Sequence, residues 1–163
     1  MQNMSPSNCP YYLITKASLA MTSMLKKELL KAGLPEVKPA YMGVLMCLWE
    51  SDGMDEVLGK FGTKTGMNHT ELGRCAGLEP STMTGLIDRM EKDGLVCRLS
   101  DPSDRRALKI SLTEKGVSVR DKALDALDLM IKESFAAVSP DAMESVNEVL
   151  KKILINTNKG NFE

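Results

Sequence analysis

Between Asn68 and Leu112 the spacing of apolar residues changes once, from helical to extended, and this constrains the fold more than any other feature of the 163-residue chain. Asn68-His69-Thr70-Glu71 has the form of a capping box, in which an Asx side chain accepts from the third helical N–H while Glu71 reaches back. The short helix it opens runs to Cys75 or Ala76 and stops at Gly77. Pro80 suits the first turn of the next helix, whose Met83, Leu86, Ile87 and Met90 form a buried stripe ending before Gly94. Val96–Leu99 and Ala107–Leu112 then favour extended backbone, with Leu108, Ile110 and Leu112 alternating with Lys109 and Ser111. The connection from Ser100 to Arg106 is too long for a two-residue turn and is expected to project as a flexible tip. Two short helices across a tight turn, followed by a hairpin, make a winged helix whose second helix can enter a major groove.

The flanks are helical. Ile14, Ala17, Met21, Met24 and Leu25 predict a helix over residues 11–32, and Val44, Leu45, Leu48 and Trp49 a second one starting near Pro39. From Ser51 to Gly66 four glycines and no sustained period predict a loop, with one short helical turn near Glu56. Thr113 is a plausible cap for a long helix reaching about Val138, with Leu124, Leu127, Ile131, Phe135 and Val138 on its apolar side. Ser139-Pro140 starts a last amphipathic helix carrying Met143, Val146, Leu150 and Ile153. Each flanking helix has one apolar stripe and needs a partner surface, which a symmetric dimer supplies most simply. The expected fold is mainly α with a small β-hairpin wing. Residues 1–35 are expected to form an N-terminal dimerisation helix, 36–112 the winged helix-turn-helix, and 113–163 the C-terminal dimerisation helices.

Composition removes other classes. Lys and Arg number 21 against 22 Asp and Glu, and a net charge of −1 argues against a protein that coats nucleic acid by charge alone. No run approaches 18 uninterrupted apolar residues and the N-terminus lacks a basic-then-apolar signal pattern, so no membrane association and a cytoplasmic location are expected. The cysteines at 9, 47, 75 and 97 include no close pair of the kind most zinc sites use, and His69 is the one histidine. Gly59–Gly66 (GKFGTKTG) lacks the order of a phosphate-binding loop, and solvated surface is the plainer reading of Lys60 and Lys64. With no nucleophile elbow, dinucleotide fingerprint or metal spacing, neither an enzyme nor a cofactor is expected.

The stretch from Met67 to Gly116, MNHTELGRCAGLEPSTMTGLIDRMEKDGLVCRLSDPSDRRALKISLTEKG, resembles the MarR (multiple antibiotic resistance regulator) family of bacterial transcription factors. The match rests on Ser81–Thr84 leading into Ile87–Leu95, on the wing Asp101-Pro102-Ser103-Asp104-Arg105-Arg106, and on the exit Ile110-Ser111-Leu112-Thr113-Glu114-Lys115-Gly116. The resemblance implies a homodimer with intertwined terminal helices that sets two winged helices on a pseudo-palindromic operator in double-stranded DNA. It also implies, in many members, a pocket for a small-molecule effector whose binding relieves repression.

Charge divides along the chain. Residues 94–112 carry Arg98, Arg105, Arg106 and Lys109 against Asp101 and Asp104, while residues 113–163 hold seven basic and nine acidic groups. A basic wing on an acidic helical frame results. By resemblance Arg106, with Arg105 beside it, enters a narrow minor groove, and Asp104 orients the tip. Ser81, Thr82 and Thr84 stand in the first turns of the second helix, where hydroxyls reach phosphates and base edges or, alternatively, satisfy helix-end polar groups. Arg89 matches a position used for a DNA-backbone contact or for a salt bridge with an acid such as Asp88. Gly85 departs from the family pattern, which often has a basic residue there, so base readout is reduced or displaced to neighbours. Two alternatives stand beside this reading: a winged-helix protein–protein adaptor, and a redox-sensing family member using Cys9, which precedes Pro10-Tyr11-Tyr12 at a helix start.

Overall fold

In the computed structural model, which describes residues 5–57, 66–100 and 108–157, the chain opens with α1 (Pro10–Lys31), close to the expected span. A single 3-10 turn, Pro39–Tyr41, leads into α2 (Met42–Val57). Here the structure corrects the sequence reading, because α2 continues through Ser51–Val57, where a loop was expected. An isolated glycine such as Gly53 weakens a helix by about 1 kcal/mol and blurs its pattern, but it does not end it. The remainder of the expected loop, with Lys60 and Lys64, lies outside the described residues.

β1 (Met67–Asn68) is a strand that the sequence did not announce, and two residues are too few for alternation to register. It is followed by α3 (His69–Ala76), α4 (Pro80–Lys92), β2 (Val96–Ser100) and β3 (Leu108–Leu112). The antiparallel sheet runs β1-β3-β2, with Met67 opposite Ile110 and Val96 opposite Leu112. Val96, Ile110 and Leu112 are buried against α2, α3 and α4, which contribute Leu45, Leu48, Leu72, Met83, Ile87 and Met90.

After the sheet the expected long helix is two. Thr113 does cap, accepting from the Gly116 N–H at 3.0 Å, but α5 (Glu114–Ser118) is followed by a break at the buried Val119 before α6 (Arg120–Ser134). The two pieces have different anchors. The Thr113 hydroxyl donates to the Gly94 carbonyl at 2.6 Å, tying α5 to the end of α4, whereas α6 packs along α1 through Ala123, Ala126 and Met130 against Leu25 and Leu29. α6 also stops at Ser134, so Phe135 and Val138 lie beyond it. The last helix, α7 (Pro140–Thr157), buries none of its residues in the single chain. Among the described residues no helix is long and apolar enough to cross a membrane.

Candidate nucleic-acid interface

The two short helices at the centre of the fold are held by devices legible in their sequence. Asn68 and Glu71 form the full capping box: the Glu71 N–H donates to Asn68 Oδ1 at 2.8 Å and the Asn68 N–H to Glu71 Oε2 at 3.3 Å. At the far end Gly77 takes a left-handed conformation (φ 65°), from which its N–H reaches Arg74 and that of Leu78 reaches Gly73. The chain turns there and restarts at Pro80 with Glu79 as an extended N-cap whose side chain makes no capping bond. Two unlike helix ends therefore meet across one turn. The start of α4 has no side-chain cap, so no cap side chain occupies its first N–H groups.

α4 buries Met83, Leu86, Ile87 and Met90, which leaves Ser81, Thr82, Thr84 and Arg89 exposed. The structure thus brings four of the candidate residues onto the solvent side of one helix. Thr84 bonds back to its own helix, donating to the Pro80 carbonyl at 3.3 Å, so the helix-satisfying alternative describes part of its role. Arg89 approaches the Tyr41 hydroxyl and acts on it as a hydrogen-bond donor. Its guanidinium lies 3.4 Å from where a Cβ at position 85 would stand, so this side chain leans back over the gap that Gly85 leaves. Arg105, Arg106 and Asp104 lie outside the described residues.

Asp88 is engaged by Arg98 instead. Arg98 on β2 stands opposite Ile110 and therefore leaves the sheet on the core-facing side, toward α4. There its guanidinium bridges Asp88, at 2.5 Å, and Glu91. The Asp88 hydrogen bond, and next to it the two carboxylates' charge set against partial burial, raises the Arg98 pKa further above its ordinary value. Sequence position alone places Arg98 with the basic wing, but its charge is neutralised by the outer face of α4. Its pairing with the inward-facing Ile110 was the available signal.

The back of α4 is fixed to the frame by groups that sequence reasoning missed. Tyr41, buried, donates to Asp93 Oδ2 at 2.8 Å and joins the turn before α2 to the end of α4. Burial first, and then this hydrogen bond, raises the Tyr41 pKa and keeps the phenol protonated, with Arg89 acting in the opposite sense. Lys115 donates to the Asp93 carbonyl at 3.0 Å and pairs with Glu36 at 3.2 Å. The Trp49 indole N–H donates to the Gly116 carbonyl at 3.0 Å. A disulfide between Cys47 and Cys75 joins α2 to α3, with Cα atoms 6.2 Å apart, whereas Cys9 and Cys97 are free. Nothing in the 28-residue spacing of that pair announced it.

The MarR family model matches residues 39–108, from the start of the 3-10 turn to the first residue of β3. With the HTH-type transcriptional regulator YkoM of Bacillus subtilis the chain is 32% identical over 87 residues, 53% of its own length, and it spans little more than half (56%) of that relative. The organic hydroperoxide resistance transcriptional regulator of the same organism is 30% identical over 114 residues, covering 70% of this chain and 67% of that one. The crystal structure of CouR from Rhodococcus jostii RHA1, bound to p-coumaroyl-CoA, superposes with a TM-score of 0.71 at 26% identity, over 93% of this chain and 95% of that one. With the family's model spanning the helix-turn-helix and a 30%-identical regulator covered over two thirds of its length, the chain belongs to the MarR family.

Proposed function

We propose that this chain is a sequence-specific DNA-binding transcription regulator, a homodimeric repressor that leaves a pseudo-palindromic operator when a small molecule binds. The observation that carries the reading is the exposed side of α4, where Ser81, Thr82 and Thr84 stand in the first turns, at a helix start without a side-chain cap, and Arg89 stands in the last turn. The opposite side of the same helix is locked into the core, so the exposed side is presented in a fixed orientation. Arg105 and Arg106 at the wing tip add the minor-groove contact, oriented by Asp104. The dimer is supported by apolar surface that one chain leaves open. Tyr11, Leu13, Ile14 and Leu19 on α1 and Val149, Leu150, Leu154 and Ile155 on α7 are exposed, although these helices are built as amphipathic elements. That frame comprises residues 1–35 and 113–163, and the ligand-bound CouR relative supports an effector site. The protein is expected to act in the cytoplasm.

Selection of genomic duplex fragments at two salt concentrations tests the proposal. The expected result is enrichment of a fragment with an inverted repeat, whose affinity falls steeply between 50 and 200 mM salt, on the order of a thousandfold for six or more phosphate contacts. Retention of no duplex at either salt concentration would leave the protein–protein adaptor as the better reading.

Arg98 supplies a sharper outcome. The pair is partly exposed, so Arg98→Ala is expected to lower stability by no more than about 1 kcal/mol. It also leaves the carboxylates of Asp88 and Glu91 without their counter-charge on the helix that faces DNA. Fragment affinity, read by fluorescence anisotropy at about 100 mM salt, should fall several-fold with a melting temperature lowered by no more than about 4 °C. A fall in melting temperature with unchanged affinity would make Arg98 a purely structural link.

A further inference from the structure

Cys47 and Cys75 stand on facing sides of α2 and α3. Gly43, one turn before Cys47, brings α2 close enough to α3 that a Cβ on it would touch Ala76, the residue after Cys75. The two sulfurs therefore meet where the helices are closest. Their surroundings differ: Cys47 is buried and Cys75 is exposed. Cys75 also lies in the last turn of α3, one residue before its end at Ala76, so that the left-handed turn at Gly77 and then the start of α4 follow closely.

We propose that Cys47 and Cys75 form a reversible dithiol–disulfide pair, oxidised by a hydroperoxide, that couples oxidation to the placement of the DNA-facing helix. The proposal rests on the DNA-binding reading for its output, though not for its chemistry. The exposed Cys75 thiolate attacks one peroxide oxygen; the O–O bond breaks, the alcohol leaves after taking up a proton, and Cys75 becomes a sulfenic acid. The Cys47 thiolate, shielded from solvent and already in place, attacks that sulfur. The S–S bond forms as the S–O bond breaks, and the oxygen leaves as water. Two thiols are oxidised by two electrons, and one peroxide is reduced to an alcohol and a water. A dithiol reductant reverses the change by exchange.

The consequence follows from where the bond lies. Two free thiols keep van der Waals distance, whereas the disulfide holds the end of α3 onto α2; α2 is joined to α5 by Trp49, and Tyr41 in the turn just before α2 is joined to Asp93 at the end of α4. Oxidation therefore removes play at the joint through which α3 and α4 settle onto a groove. In a reducing compartment such a pair rests as the dithiol and closes only under oxidant.

The test uses the full chain, reduced and then treated with hydrogen peroxide. Intact mass should fall by the two hydrogens of one disulfide, and thiol labelling should be lost at Cys47 and Cys75 together. Hydrogen exchange in α3 should slow, and the affinity for the selected fragment should drop at least fivefold and return with dithiothreitol. Cys75→Ser should abolish all four changes, and Cys9→Ser none. A disulfide that forms with unchanged exchange in α3 and unchanged affinity overturns the coupling, and an absent mass change overturns the pair itself. If reduced protein binds no fragment, the DNA-binding reading fails, while the mass and exchange results still decide the pair.

Discussion

Gly116→Ala is expected to lower the stability of the chain by at least about 3 kcal/mol, more than a surface substitution in a five-residue helix should. The reason is a single approach: a Cβ at position 116 would stand 2.0 Å from the Leu95 carbonyl oxygen, which is backbone and has no rotamer to change. The same carbonyl accepts from the Thr113 N–H at 3.1 Å, and Gly116 itself is held from the other side by the Trp49 indole. Relief of the clash therefore requires α5 to lift from the end of α4, breaking the Thr113 and Trp49 bonds with it. At roughly 2–4 °C per kcal/mol for a chain of this size, the melting temperature should fall by about 6–12 °C. Gly77→Ala is the control. Its φ is 65° with open space around the site, so only the left-handed penalty of about 1–2 kcal/mol applies. Equal melting temperatures for the two variants would contradict the close-packing account.

The exit turn also shows what kind of sequence signal is readable. Thr113-Glu114-Lys115-Gly116 stands out as a motif, and three of its residues have separate physical roles. Thr113 caps α5 and ties it to Gly94, Lys115 binds the Asp93 carbonyl, and Gly116 makes room for Leu95. None of these roles is contact with DNA. The capping box at Asn68, the Gly77 turn and the apolar stripe of α4 were legible because each is encoded within a few consecutive residues. β1 was not, since two residues owe their strand character to a partner some forty positions away. The break at Val119 was hidden for the same reason: periodicity continues across it, and only the separate anchorages of α5 and α6 divide it.

The candidate interface was legible in the same uneven way. Exposure of Ser81, Thr82, Thr84 and Arg89 follows from the stripe they flank, and burial of their neighbours agrees. Counting charges by position places Arg98 in the basic wing, whereas strand pairing turns it toward Asp88 and Glu91. With Arg98 set aside, the wing sequence keeps Arg105 and Arg106 as its adjacent pair of arginines. The Cys47–Cys75 link and the Tyr41–Asp93 bond join residues far apart in sequence, and no local pattern encodes either.

The wing's pair of arginines sets the size of the second large effect. Arg106→Ala is expected to weaken binding to the selected fragment on the order of a hundredfold. A groove contact by one arginine is worth about 1–3 kcal/mol, and the proposed homodimer would lose two of them. Because near-neutral net charge provides little nonspecific attraction, few other contacts compensate. The slope of affinity against salt should become shallower by about one unit for each arginine lost, since fewer counterions are released. Arg106→Lys separates charge from shape: the ammonium keeps the charge but lacks the planar fork and holds its hydration more tightly. Its salt slope should match that of the wild type while its affinity falls between the other two proteins. Arg98→Ala runs alongside as the contrast, because that side chain faces α4 and its loss acts only through Asp88 and Glu91. Wild-type affinity and salt slope in Arg106→Ala would remove the wing from the interface and leave the exposed side of α4 as its whole extent.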